Sequence, residues 1–235
     1  MAVEIIEGNL FTTHSQTIVN TINCVGVMGA GIALECRLRY PTMFHRYVAL
    51  CEQRKFAPGI LWLYKGSPTA GDIDDRWILN FPTKVHWKYP SRMEWVLAGL
   101  DKFMAVYGER GITSVAFPVL GGLNGGLNPD EVISVMRDRL STCDIPIEIY
   151  RYRPDAGDDL FDKFKQVFVT LTPEEVQRLT GMRRNSIQRI GEALGRPDVC
   201  QLNQLAKIEG IGIKTLEKTF ALVRQYVAVQ GRLPL

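Results

Sequence analysis

Apolar residues recur with two different periods along the first 150 residues of this chain, and with only one of them beyond residue 172. Val3-Glu-Ile-Ile-Glu7 alternates apolar and polar positions before Gly8-Asn9, and Thr17-Ile-Val-Asn20 is a short β-branched run, so both predict strands. Residues 60–64, 77–81, 114–117 and 145–150 read the same way. Helical patterns lie between them: 31–39, which stops before Pro41, then 42–54, then a long helix to Tyr107 opened by a predicted capping box at Ser91-Arg-Met-Glu94. A further helix starts at Asn128-Pro-Asp-Glu131, with Asn as cap and Pro in the first turn. Strands alternating with helices predict a layered α/β fold around a mixed, largely buried sheet.

Arg153-Pro-Asp-Ala-Gly-Asp-Asp159 is a turn-rich break, followed by a predicted helix over 160–167. Thr172-Pro-Glu-Glu175, again a capping box, opens a region with helical periodicity alone. The expected division is 1–155, a linker helix in 156–169, and an all-α tail over 170–235. The tail repeats itself. Val176-Gln-Arg-Leu-Thr-Gly-Met182 superposes on Leu205-Ala-Lys-Ile-Glu-Gly-Ile211 at an offset of 29 residues. The same offset pairs Ser186-Ile187 with Thr215-Leu216 and Ala193-Leu194 with Leu222-Val223. Two helix-turn-helix units of one plan would bury their apolar faces on each other. An ordinary pair of amphipathic hairpins is the plainer alternative.

Composition narrows the setting. At 46% hydrophobic and 23% charged, the 235 residues can bury a real core. No apolar run approaches the roughly 20 residues that cross a bilayer, and Met1-Ala-Val-Glu4 does not open a signal peptide. Five cysteines without a CxxC pair point to free thiols in a reducing cytoplasm, and three scattered histidines do not suggest a zinc site. Net charge is +3, but residues 170–235 hold ten Lys/Arg against six Asp/Glu, so the basic excess sits in the tail.

Two glycine-rich segments carry candidate chemistry: Asn20-Thr-Ile-Asn-Cys-Val-Gly-Val-Met-Gly-Ala-Gly-Ile-Ala33 and Phe117-Pro-Val-Leu-Gly-Gly-Leu-Asn-Gly-Gly-Leu127. Each leaves a strand, passes through glycines and enters a helix. Glycines let backbone N–H groups approach a ligand, and a helix N-terminus favours negative charge. Two such loops suit a diphosphate held from both sides. The candidate contacts are Asn20, Thr21, Gly26, Val27, Met28, Gly29, Ala30, Gly31 and Ile32 from the first, and Pro118, Gly121, Gly122, Leu123, Asn124, Gly125, Gly126 and Leu127 from the second. Leu34 stands where a dinucleotide-binding fingerprint needs Gly or Ala, and no GxxxxGK[ST] occurs.

Glu7-Gly-Asn-Leu10, Asn20-Thr-Ile-Asn23 and Gly26-Val-Met-Gly-Ala-Gly-Ile-Ala33 together resemble a macrodomain, a three-layer α/β/α fold with a mixed central sheet that binds ADP-ribose. Asn80-Phe-Pro-Thr-Lys-Val-His-Trp87 and Leu120-Gly-Gly-Leu-Asn-Gly-Gly-Leu127 narrow the resemblance. They are similar to the branch holding the human terminal ADP-ribose glycohydrolase and the DarG antitoxins, which strip ADP-ribose from DNA after the toxin DarT attaches it. The resemblance covers roughly residues 1–150 and not the tail; DarG proteins carry a different C-terminal region that binds and neutralises the toxin. It implies Asn9 and Leu10 beside the adenine, although many macrodomains have Asp where Asn9 stands. It also implies the 26–33 and 121–127 loops around the diphosphate and distal ribose, with Asn23 hydrogen-bonded to that ribose.

Glycosidic bonds are usually cleaved by paired carboxylates, yet neither glycine loop holds an Asp or Glu. Lys84 instead follows a strand among apolar neighbours. Partial burial would lower its pKa and leave free amine, able to attack C1 of the distal ribose or its open aldehyde; kept charged, it would stabilise the departing group. The resemblance implies that the matching lysine is essential in this branch, so Lys84 and Asn23 form the catalytic set. The human enzyme uses an Asp in its second loop, where this chain has Gly125. His86 is either a proton carrier or a packed neighbour of Trp87 and stands outside that set. No cofactor is called for.

Leu205-Ala-Lys-Ile-Glu-Gly-Ile-Gly-Ile-Lys-Thr-Leu-Glu-Lys218 resembles a helix-hairpin-helix. Gly210, Ile211 and Gly212 would offer amides to a nucleic-acid phosphate, with Lys214, Thr215 and Lys218 beside them. Arg183 and Arg184 take the equivalent places in the degenerate first copy. The alternative is a protein-docking tail. Three functions follow: a glycohydrolase removing ADP-ribose from a macromolecule, with DNA foremost; a non-catalytic ADP-ribose reader, which has no need of Lys84; and an antitoxin that binds a DarT-like toxin through its tail.

Overall fold

The computed structural model describes residues 3–230. The strands are β1 (Val3–Gly8), β2 (Thr17–Asn23), β3 (Trp62–Lys65), β4 (Trp77–Lys84), β5 (Val115–Pro118) and β6 (Ile147–Tyr152). They form one sheet in the order β1-β6-β5-β2-β4-β3. All neighbours run parallel except β3 and β4, which makes the sheet mixed as expected. The helices are α1 (Gly31–Arg39), α2 (Pro41–Glu52), α3 (Met93–Val106), α4 (Pro129–Leu140), α5 (Phe161–Thr170), α6 (Pro173–Thr180), α7 (Arg184–Leu194) and α8 (Ile213–Gln230).

The two-residue side-chain period of a strand sorts the core into two layers. Ile18, Ile22, Ile78 and Ala116 pack with Leu34, Leu38, Met43 and Tyr47 from α1 and α2. Val19, Leu79, Phe81, Val115, Phe117 and Ile149 face the other way, onto Val96, Leu100 and Phe103 of α3 and Val132, Met136 and Leu140 of α4. The α/β/α layering is therefore as expected.

Asn128 caps α4 as expected, accepting from the amides of Asp130 and Glu131, and Thr172 and Glu175 form the second capping box. The expected box at Ser91 does not form. Arg92 is the N-cap of α3 and makes no side-chain cap bond, while Ser91 is drawn under the second glycine loop, where its amide donates to the Gly125 carbonyl over 2.9 Å.

The tail follows the 29-residue repeat at most of its paired positions, the exception being Leu179, which is 41% exposed, and its counterpart Ile208, which is half-buried. Gly181 and Gly210 both turn with positive φ, +61° and +79°. The paired positions Val176 and Leu205, Met182 and Ile211, Ile187 and Leu216, Ala193 and Leu222, and Leu194 and Val223 are all buried. The second unit departs in one respect, since its first element is a 3-10 helix, Leu202–Lys207. The predicted linker helix is no free tether: Phe161, Phe164 and Phe168 are buried in the same apolar cluster as α1, α2 and the tail. Arg39, fully buried, stands at this junction. It donates to Glu35 over 2.7 Å and to Asp159 over 2.7 Å, contacts Asp158 at 3.3 Å, and lies 4.1 Å above the Phe11 ring. Asp158 in turn accepts from the Leu202 amide, and Glu35 from Asn203.

Candidate active site

Lys84 is placed by an irregularity in the sheet. β2 and β4 pair residue for residue from Thr17↔Trp77 to Ile22↔Pro82, then slip so that Asn23 faces Lys84. Pro82 has no N–H to give to the ladder, and the bulge falls directly after it. Bulges re-aim side chains at sheet ends. Here one brings the Lys84 amine to the second loop, where Nζ donates to the Asn124 carbonyl over 2.5 Å. Burial lowers the Lys84 pKa, as the sequence led us to expect.

Asn23 scaffolds the first loop. Its Oδ1 accepts from the Val25 amide at 3.0 Å, the Val27 amide at 3.3 Å and the Tyr47 hydroxyl at 3.1 Å, and its Nδ2 donates to the Val27 carbonyl at 2.5 Å. The second Nδ2 hydrogen is not used in these bonds. The loop then enters α1 at Ala30, which has no side chain able to cap, so the first-turn amides have no side-chain cap. A Cβ built at Gly29 meets nothing but Val27 Cγ1 at 3.8 Å, whereas one at Gly31 would lie 2.6 Å from Asn124 Nδ2. The two glycine loops thus meet at Gly31 and Asn124, beside Lys84.

The second loop turns at Gly121 and Gly126, φ +70° and +78°, and closes with Leu127 N donating to Gly121 O at 3.0 Å. A Cβ at Gly125 would lie 2.3 Å from the Gly121 carbonyl and 2.4 Å from Ser91 Oγ. No acidic side chain fits there without moving the loop. Gly122, Leu123 and Asn124 lie at the surface of the loop, Leu123 being 70% exposed.

Several expected contacts are not at the surface. Asn20 is fully buried and donates to Asn80 Oδ1 over 2.9 Å, because the strand period turns it inward under the loop. The Met28 side chain is buried too, which leaves only its backbone for a ligand. Thr21, Gly26, Ile32 and Pro118 are half-buried, and Val27 and Ala30 are exposed. Leu10 is buried, as is Asn9, whose Oδ1 accepts from the Phe11 amide at 3.1 Å. That bond fixes the orientation of the amide and leaves Asn9 Nδ2 buried without a partner. Sequence reasoning missed the part that Tyr47 and Ser91 take in holding the loops: Tyr47 carries no motif, and Ser91 read as a helix cap.

In the tail Gly210, Gly212 and Lys214 are exposed, Thr215 is half-buried, and Ile211 is buried as an anchor. Lys218 does not join them. Its Nζ donates to the Gly181 carbonyl over 2.5 Å, because packing of the two units lays α8 across the end of α6. Arg183, Arg184, Asn185, Ser186, Arg189 and Gly210 line a concavity of about 390 Å³. Arg184 is ion-paired to Glu174.

The family model for the Macro domain matches residues 19–136. The DNA ADP-ribosyl glycohydrolase of Thermus aquaticus is 32% identical over 216 residues, covering 89% of this chain and 57% of that protein. The similarity therefore runs on into the helical tail, further than the sequence motifs carried it. The chain spans little more than half the length of that relative. Among solved structures, the macrodomain of Mycobacterium tuberculosis DarG is 37% identical with a TM-score of 0.58, over 63% of this chain and 96% of that one. Thermosipho africanus DarTG in complex with ADP-ribose is 32% identical with a TM-score of 0.57, over 64% of this chain and 42% of that one. Sheet order, paired glycine loops and these matches agree: the chain belongs to the macrodomain family.

Proposed function

We propose that this chain binds ADP-ribose between its two glycine loops and hydrolyses the bond that joins it to a DNA nucleotide. The placement of Lys84 carries this reading, because a reader needs no amine beside both loops. The relatives named as DNA ADP-ribosyl glycohydrolases support the choice of DNA. The free amine of Lys84 attacks C1 of the distal ribose, and the bond from C1 to the DNA breaks with its electron pair leaving on the DNA side. Water then releases ADP-ribose and restores the amine. Asn23 holds the loop that orients the ribose, and the first-turn amides of α1 take the diphosphate. The tail holds a nucleic-acid backbone through Gly210, Gly212, Lys214 and the arginine-lined concavity at Arg183. A DNA ADP-ribosyl transferase is the partner enzyme, since the Thermosipho africanus relative is a fusion of the two activities. Five free thiols fit work in a reducing cytoplasm.

The test is release of ADP-ribose from modified DNA and from modified protein. DNA is expected to lose its label. Lys84→Ala and Lys84→Arg are expected to lower the rate about 100-fold or more, with the unfolding midpoint unchanged. Full activity in both variants would return the chain to the reader function.

A further inference from the structure

Directly after Lys84 the chain displays a row of aromatic rings that ADP-ribose itself does not require. Trp87 is 48% and Tyr89 64% exposed, and the His86 ring contacts both. His86 and Trp87 are stacked, their centroids 5.7 Å apart and their planes at 25°, and His86 meets Tyr89 at 5.4 Å. The row is held in place. The Lys88 amide donates to His86 Nδ1 at 3.2 Å and the Tyr89 amide to the His86 carbonyl at 3.2 Å. The segment is also stitched to both glycine loops, through Cys24 N to Val85 O at 3.2 Å and Ser91 N to Gly125 O at 2.9 Å. Single exposed aromatics are ordinary on a protein surface. Three rings in mutual contact, following Lys84 in the chain within a segment bonded to both loops, are not accounted for in that way.

Its charge points to one kind of occupant. From residue 77 to 93 the chain has Lys84, Lys88 and Arg92 and no Asp or Glu, and the second loop has no acid either; Arg92 is paired to Glu94 over 3.3 Å, which leaves Lys84 and Lys88 as the cations of the segment. Lys88 Nζ lies 5.2 Å from the Trp87 ring centre. Exposed rings with Lys84 and Lys88 beside them in the chain suit the faces of unpaired bases and the phosphates between them. A duplex keeps those faces stacked inside itself.

We propose that Trp87 and Tyr89, both in contact with the His86 ring and flanked by Lys88, form the subsite for bases adjoining the modified nucleotide in single-stranded DNA. The proposal rests on the glycohydrolase reading, because that reading puts the reacting bond at Lys84 and the rest of the strand over residues 85–89.

The experiment measures binding, in the full chain carrying Lys84→Ala so that substrate persists. The quantity read is the affinity for an ADP-ribosylated single-stranded oligonucleotide divided by that for free ADP-ribose. In the parent this ratio is expected well above one. Trp87→Ala with Tyr89→Ala is expected to lower it on the order of tenfold or more, with affinity for free ADP-ribose unchanged. Trp87→Phe with Tyr89→Phe should restore most of it. An unchanged ratio in the double alanine variant, equal loss for both ligands, or equal affinity for single-stranded and duplex oligonucleotides would each overturn the subsite. Loss of hydrolysis alone, measured with Lys84 present on every substrate, would instead overturn the glycohydrolase reading and leave the ratio to decide the subsite.

Discussion

At position 29 the backbone has room for a side chain, and at position 125 it has none, so two glycines with similar surroundings in the sequence do different work. Gly29→Leu is expected to fold with an unchanged unfolding midpoint, since a Cβ there meets only Val27 Cγ1 at 3.8 Å, and to lose affinity for ADP-ribose by crowding a ligand held on the first loop, as calorimetry would read. Gly125→Ala is expected to lower the unfolding midpoint, because its methyl group meets the Gly121 carbonyl and Ser91. Gly122 is a poorer probe than its sequence suggests: a Cβ there would lie 2.9 Å from Val119 Cγ1. That Lys84 and the two glycine loops come together was legible from residue type and from the strand-glycine-helix order of both loops. Asn20 was misplaced because a motif tells nothing of which face a strand residue takes. Asn23 was found for its ligand, whereas most of its bonds go to its own loop. Ser91 is the plainest miss: it read as a cap by local pattern, and a contact with a loop some thirty residues away claimed it.

Among elements, the repeated hairpins make a separable statement about charge. Arg183→Glu with Lys214→Glu removes two exposed cations from the turns. It is expected to weaken binding of unmodified single-stranded DNA and to flatten the dependence of log K on log salt by about 1 to 1.5, with ADP-ribose affinity intact. Lys218→Ala should behave differently. Its amine caps the Gly181 carbonyl at the end of α6, so its loss is expected to cost about 0.5 kcal/mol of stability and to leave the salt slope alone. The offset of 29 residues was visible because buried positions, left-handed glycines and helix starts all repeat together. The 3-10 form of the second unit's first element was not, because periods of 3.0 and 3.6 cannot be told apart over six residues. The reach of β4 to Lys84 was hidden for another reason. Pro82 reads as a strand end, and only pairing with β2 shows the strand continuing past it as a bulge.

For the molecule as a whole, the junction around Arg39 couples stability to pH. One guanidinium faces Glu35, Asp158 and Asp159, with the Leu160 and Leu202 amides also on Asp158. Burial pushes the Asp158 carboxyl up to about 7, against the opposing Arg39 charge. At Asp159 burial also raises the pKa, but the charge and hydrogen bond of Arg39 outweigh it and hold the group low. Asp158 binds its proton more tightly folded than unfolded, so its contribution is complete at low pH and is lost as pH rises through about 7. Asp159 works oppositely, its contribution lost as pH falls below the ordinary carboxylate range. The unfolding midpoint is therefore expected to peak in mild acid and decline toward pH 8, with a smaller decline in Asp158→Asn, as a thermal series across pH would read. Layers and helical tail were legible in periodicity; this junction was not, because its charges come from α1 and from a stretch that reads only as a turn.

That junction also bears on how such a chain can change over generations. Phe11, two residues from Asn9, lies under the same guanidinium that reaches Asp158, and Asp158 holds the backbone of the tail. The Leu38 carbonyl at the end of α1 takes a bond from Arg224, and Arg37 pairs with Glu217 over 2.7 Å. A crossover that joined this macrodomain to a foreign tail would strand those cations against unmatched neighbours and bare the apolar side of α1. Exchanging the tail for a foreign one is therefore expected to lower the unfolding midpoint unless the contacts of Arg37 and the Leu38 carbonyl are replaced with it.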